Sequence, residues 1–92
     1  MLQKAFIPYG GYFSSPFSRW QGTLANENAI TLGAATAKRW LAHKDWDPKE
    51  INYVVFGITI HQLHGFYGGP YSAALMGCPD SPGVLLSQAC ST

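Results

Sequence analysis

Apolar residues recur at a helical period in the first half of the chain. Ile30, Ala34, Ala37 and Leu41 stand at i, i+4, i+7 and i+11 with polar residues between them, which is one stripe of an α-helix. Asn26 is placed to cap the N-terminus of that helix, with Glu27 in the first turn, where the helix dipole favours an anion. Lys38, Arg39, His43 and Lys44 gather towards the other end, where cations are favoured. The pattern predicts a helix over 27–44. Gly33 costs that helix about 1 kcal/mol relative to Ala, and beside Ala34 and Ala37 it leaves room for a neighbouring element to approach closely.

The period changes after Lys44. Asp47-Pro48-Lys49-Glu50 reads as a cap with Pro at the first helical position, giving a single turn. The run 51–60 that follows, Ile-Asn-Tyr-Val-Val-Phe-Gly-Ile-Thr-Ile, is almost continuously β-branched and aromatic. Little alternation is what a strand covered on both faces by helices requires. His61 to Gly69 reads as a loop, Pro70 to Met76 as a short helix ended by Gly77, and Pro79 to Pro82 as a turn. Gly83 to Ala89 is a second buried strand, delivering Cys90 to its C-terminal edge. Upstream, Lys4 to Tyr9 is a short apolar stretch stopped by Gly10-Gly11, a brief strand with Pro8 near its end. The order strand, helix, strand, helix, strand points to an α/β class with crossover connections, and residues 1–92 read as one unit without internal repeats.

Composition adds one expectation. A chain of 92 residues buries only roughly 60–65% of the surface it exposes when unfolded. Asp, Glu, Lys and Arg make up 12% of it and hydrophobic residues 47%, whereas an ordinary soluble domain is about 25% charged. That is too little charge to coat a free surface, so much of the chain is expected to be covered by another polypeptide. The formal net charge is +1 with no block of like charges, which disfavours nucleic acid and anionic membrane as partners. From Met1 the chain reaches Pro8 before a long apolar run develops, so neither a signal peptide nor a membrane span is expected, and a cytoplasmic, reducing compartment fits. Two cysteines, Cys78 and Cys90, imply no disulfide framework.

The candidate chemistry centres on Cys90. In open α/β sheets, ligands and chemistry gather beyond the carboxyl ends of strands, which is where Cys90 falls. If Ser91 and Thr92 begin a helix, its free N–H groups and dipole lower the thiol pKa and favour the nucleophilic thiolate. A free cysteine is equally at home buried, so the pattern alone leaves both roles open. Cys78, between Gly77 and Pro79, reads as a packed or idle thiol. His61 and His64, three apart, are metal candidates together with Cys78 or Cys90, but no paired-cysteine motif accompanies them and no metal is expected. They read better as histidines lining a pocket. His43 is a solvated helix-end residue, and Trp20, Trp40 and Trp46 are packing groups.

Several segments together resemble the thiolase superfamily. Ser15-Pro16-Phe17-Ser18-Arg19-Trp20-Gln21-Gly22-Thr23-Leu24-Ala25 is similar to the family segment in which Arg-Thr-Pro is followed by Phe-Gly-Lys and Gly-Ser-Leu. The helix over 27–44, the Asp47–Ile51 turn, the strand ending near Gly57, the Gly-rich loop with its short helix, and Gln88-Ala89-Cys90-Ser91-Thr92 follow in the family's order. Three features depart from it. Ser14 stands where thiolases usually have Arg, Ser18 replaces a Gly, and the loop His61–Tyr67 is bulky and aromatic.

What the resemblance implies is the N-terminal part of a thiolase-like layered αβαβα fold, incomplete without a partner chain. Cys90 falls on the family's acyl-accepting cysteine. The implied function is an acyltransferase component for thiolysis of a 3-oxoacyl-CoA or Claisen-type condensation, with coenzyme A as co-substrate and no tightly bound cofactor. Arg19 is a candidate for a coenzyme A phosphate, with a surface salt bridge as its plainer role, and His64 and Tyr67 are candidates for lining the substrate site. Trp20 and Tyr67 are placed to border an acyl pocket or a subunit interface. The family takes its activating His and second Cys from later segments, so the resemblance implies a chain carrying them, in a hetero-oligomer or a dimer of thiolase units. A non-catalytic subunit that keeps a thiolase-like surface for assembly is the alternative, and a small metal-binding module a weaker third.

Overall fold

The computed structural model describes residues 3–92; Met1 and Leu2, the start of the N-terminal stretch, lie outside them. The element order is α1 (Ala29–His43), a 3-10 turn (Pro48–Glu50), β1 (Val54–Gly57), α2 (Gly68–Met76) and β2 (Gly83–Leu86). β1 and β2 pair in parallel, with Val54 opposite Gly83 and Gly57 opposite Leu86. Ile58 N–H extends the ladder by donating to the Leu86 carbonyl at 2.9 Å.

The helical stripe is buried as its spacing predicts. Ile30, Ala34, Ala37 and Leu41 are the buried residues of α1. The last three join Ala73, Met76 and Cys78 in one cluster, so α1 and α2 meet through a core that is half alanine. Small side chains there let the two helices lie close, and Gly33 takes the ring edge of Phe56, which lies 3.3 Å from where a β-carbon would stand. Outside this core Trp40 meets Phe13 in a tilted pair and Trp46 edge to face, with ring centroids 5.4 and 5.1 Å apart. An apolar hollow of about 290 Å³ opens between Phe13, Trp40, Ile51, Val54 and Met76. This flank of the core is not filled by the chain's own side chains.

The cap of α1 lies two residues later than expected. Asn28, not Asn26, is the N-cap, its Oδ1 accepting from Ile30 N–H at 2.9 Å and Thr31 N–H at 3.3 Å. Both asparagines have capping chemistry, and tertiary contacts decide between them. Ala29 N–H donates to Gln62 Oε1 at 2.6 Å and Asn28 Nδ2 donates to the Leu63 carbonyl at 3.3 Å, so the loop after β1 fastens onto the helix start at that position. The Asp47 cap is as expected, with Oδ1 accepting from Lys49 N–H at 3.0 Å.

α2 begins two residues earlier than expected, at Gly68, because the glycines are what allow its start to rest on β2. A β-carbon on Gly69 would lie 2.6–2.8 Å from the Val84 backbone, and one on Gly68 would lie 2.7 Å from Leu85 Cδ1. α2 ends on Gly77 at φ +99°, with Gly77 N–H bonded to the Ala74 carbonyl and Cys78 N–H to that of Ala73. That is a Schellman closure, which favours glycine at the left-handed position.

Three strand expectations are corrected. The segment Lys4–Tyr9 joins neither β1 nor β2, and its Phe6, Ile7 and Tyr9 are 84, 88 and 105% exposed. Within that segment only Ala5, Phe6 and Ile7 are apolar before Pro8, which lacks a ladder donor. The two remaining strands are each four residues long rather than ten and seven, because a ladder extends only as far as both partners run side by side. Both helices pack on the face of Val54, Phe56 and Leu85. The opposite face, with Tyr53, Val55, Val84 and Leu86 at 52, 61, 37 and 48% exposure, is uncovered. The sheet is therefore covered on one face, not two.

Gly69→Ala tests the close approach of α2 to β2. A helix gains up to about 1 kcal/mol from that change, but the Val84 backbone cannot move aside as a side chain would. A net loss of about 1–3 kcal/mol is expected, read as a lower urea midpoint; an unchanged or higher midpoint would contradict the packing.

Candidate active site

Parallel pairing sends the chain out of β1 and β2 at the same edge of the sheet. The segment leaving β1 carries His61, His64 and Tyr67, and the segment leaving β2 carries Cys90. This is the edge where open α/β sheets place their sites.

Cys90 sits in a tight turn rather than at the end of a long strand. Gln88 N–H donates to Thr92 Oγ1 at 2.7 Å, and the same hydroxyl donates to the Ala89 carbonyl at 2.7 Å. Ser91 N–H and Thr92 N–H close the turn onto the Gln88 and Ala89 carbonyls at 3.0 and 3.1 Å. Ala89 adopts φ +50°, a left-handed conformation that costs a residue with a β-carbon roughly 1 kcal/mol or more. One threonine hydroxyl, used as both donor and acceptor, thus holds the turn closed with Cys90 at its apex. Ser91 and Thr92 complete this turn. The Thr92 methyl lies 3.0 Å from where a β-carbon of Gly57 would stand, so the turn folds back against the end of β1.

The two cysteines have opposite surroundings. Cys90 is an exposed free thiol, whereas Cys78 is 3% exposed, its Sγ donating to the Ala73 carbonyl at 3.1 Å. Cys78 is the packed thiol that its place after Gly77 implied.

His64 is the third residue of a β-turn closed by Gly65 N–H to the Gln62 carbonyl at 3.1 Å, and it takes the positive φ of +60°. Tyr67 is the N-cap of α2, also left-handed at φ +59°, with its ring 80% exposed. Sequence reasoning missed Gln62, whose side chain caps Ala29 and thereby anchors this loop. Its only signal was a long amide among apolar and aromatic neighbours. Also missed was Ser81, which donates to the Ile51 carbonyl and ties the entry of β2 to that of β1. Arg19 is exposed in the N-terminal arm, its carbonyl closing a turn with Gly22 N–H at 2.9 Å. That arm runs along α1, where Ser14, Ser15 and Pro16 face Leu32, Thr36 and Arg39 across a shallow hollow. Among the described residues no three of His, Cys, Asp and Glu converge on a point that would hold a metal ion. No helix among them is long and apolar enough to cross a membrane.

No protein-family model matches the chain, and no curated protein matches it significantly. Among solved structures it is similar to the acetyl-CoA acetyltransferase of Bacillus anthracis, with a TM-score of 0.72 at 23% identity over 84% of this chain. The likeness is one of fold, and this chain spans about a fifth (20%) of that neighbour's length.

The difference between the two thiols gives a direct check. In native buffer one equivalent of a thiol reagent reacts promptly, and peptide mapping places it on Cys90; Cys78 reacts only once urea opens the core. Prompt labelling of both residues would contradict the packing of Cys78.

Proposed function

We propose that this chain is the nucleophile-bearing component of a thiolase-type acyl-CoA acyltransferase, with Cys90 as the acyl-accepting residue. The observation that carries the reading is an exposed cysteine at the apex of a clamped turn, on the carboxyl edge of a parallel pair, in a fold similar to an acetyl-CoA acetyltransferase.

In the thiolysis direction the Cys90 sulfur, its proton taken by a base, attacks the C3 carbonyl of a 3-oxoacyl-CoA. The C2–C3 bond breaks, the shortened acyl group stays on Cys90 as a thioester, and the departing acetyl-CoA enolate is protonated at C2. The sulfur of a second coenzyme A then attacks the thioester carbonyl, releasing acyl-CoA and returning the Cys90 thiol. Condensation is the reverse sequence. Covalent catalysis of this kind replaces one difficult step by two easier ones.

The base, the acid and the donors that stabilise the oxyanion come, in this reading, from another polypeptide segment carrying a His and a second Cys. This chain alone is inactive, since a nucleophile separated from its base loses most of its rate advantage. The working form is a hetero-oligomer or a dimer of completed units, in the cytoplasm. Coenzyme A is a co-substrate, not a resident group. His64 and Tyr67 leave β1 at the edge that carries Cys90 and contribute to the acyl side of the site, and Arg19 meets a coenzyme A phosphate.

The test is peptide mass spectrometry of the undissociated complex after incubation with an acyl-CoA. An acyl adduct on Cys90 is expected, and Cys90→Ala should lower acyl transfer by about a thousandfold or more while the complex still assembles. Unchanged turnover in Cys90→Ala would assign the chain the alternative role, a structural subunit with a thiolase-like surface.

A further inference from the structure

Two features of the Cys90 turn go unused by the acyl-transfer steps, and both belong to Thr92. The first is its hydroxyl. Oγ1 accepts from Gln88 N–H and donates to the Ala89 carbonyl, each at 2.7 Å, so it ties the two residues before the thiol to the second residue after it. Ala89, directly before Cys90, stands at φ +50°, a conformation that its β-carbon disfavours. Strain of that kind lasts only where the surroundings impose it. Without the hydroxyl, Ala89 returns to negative φ, the peptide joining it to Cys90 rotates, and the thiol side chain turns with it.

The second feature is the methyl. Side chains alternate along a strand, so Tyr53, Val55 and the missing side chain of Gly57 point the same way, onto the outer face of the sheet. The point where a β-carbon of Gly57 would stand lies 3.0 Å from the Thr92 methyl, so glycine leaves the space that the methyl takes. Gly57 itself is fixed in the parallel ladder opposite Leu86. The hydroxyl therefore sets the shape of the turn, and the methyl sets where that turn sits against β1. Serine supplies only the first of these and valine only the second; threonine supplies both.

We infer that Thr92 is the positioning residue of the Cys90 nucleophile, its hydroxyl fixing the backbone that carries the thiol and its methyl seating that backbone on Gly57. This role rests on the proposed acyltransferase reading, in which the direction of Cys90 Sγ decides how well it meets the carbonyl it attacks. Thr92 touches no reacting atom; it acts through Cys90. Misdirecting a nucleophile slows the chemical step and leaves the binding of the substrate as it was.

The test is steady-state thiolysis by the undissociated, active protein, with acetoacetyl-CoA or 3-oxooctanoyl-CoA, whichever the parent turns over faster. Thr92→Val keeps the methyl and removes the hydroxyl, and kcat should fall by about tenfold to a hundredfold with KM within about twofold. The urea midpoint should not move, because Gln88 and Ala89 are exposed and their freed groups turn to water. Thr92→Ser, which restores the hydroxyl, should recover most of the loss. Gly57→Ala puts a β-carbon against the Thr92 methyl and should lower kcat by about fivefold, and combining it with Thr92→Ser, which removes that methyl, should give a faster enzyme than Gly57→Ala alone. Parent kcat in Thr92→Val, or a Thr92→Ser protein as slow as Thr92→Val, would overturn the role of the hydroxyl. A double variant no faster than Gly57→Ala would overturn the seating, and where Gly57→Ala does not fold, the Val and Ser variants decide the positioning role. An acyl adduct on Cys90 of the parent is scored separately: an adduct with equal kcat in Thr92→Val sinks only the positioning, and a parent with neither adduct nor turnover sinks the acyltransferase reading and the positioning with it.

Discussion

The contact on which the arrangement depends is the backbone of α2 against the backbone of β2. A β-carbon at Gly69 would stand 2.6–2.8 Å from the Val84 main chain, so the helix lies against the strand at a distance only glycine permits. The α2 crossover lets β2 pair with β1 in parallel rather than as a hairpin, and the close approach seats α2 on that pair. Parallel pairing in turn puts both outgoing segments at one sheet edge. The Cys90 turn and the loop of His64 and Tyr67 share one sheet edge because a nine-residue helix joins two parallel strands, and two glycines let its start rest on β2.

The Cys90 turn is organised by its own residues to an unusual degree. Thr92 satisfies the Gln88 N–H and the Ala89 carbonyl with one hydroxyl, holding Ala89 in a left-handed conformation that its β-carbon disfavours. Strain of this kind persists only where surrounding bonds impose it. Here they are short, local and exposed, so what lies against Thr92 governs how firmly the thiol is held. The uncovered sheet face is where that contact is made.

Much of α1 was legible because its information is local. Four residues at helical spacing named the buried stripe, and the same four are buried. Asp47 and Pro48 set the 3-10 turn, and Gly77 the end of α2, by chemistry confined to a few residues. The misses share a different cause. Asn28 was preferred over Asn26 through Gln62, thirty-three residues from Ala29, a contact that no local pattern announces. The run 51–60 was apolar enough for a ten-residue strand, but apolar character says only that a segment is to be covered; its pairing partner sets how long it is. In the site, the position of Cys90 past β2 was legible from the order of elements, while the threonine clamp was not, since Thr92 has no sequence signature separating a clamp from a surface hydroxyl.

The low charge of the chain and its open sheet face describe one fact at two levels. With 12% of residues charged, the sequence lacks the means to solvate a free surface, and the structure locates one part of the deficit on Tyr53, Val55, Val84 and Leu86. Fully burying a side chain of that size is worth about 1.5–3 kcal/mol, and these four are roughly half exposed, so covering this face contributes a few kcal/mol to any assembly that does it. A core that is half alanine, with an open hollow of about 290 Å³ at its flank, has little stability of its own to set against that gain. The same contact that stabilises the sheet also meets Thr92, so stability and the setting of the Cys90 thiol are coupled through one surface.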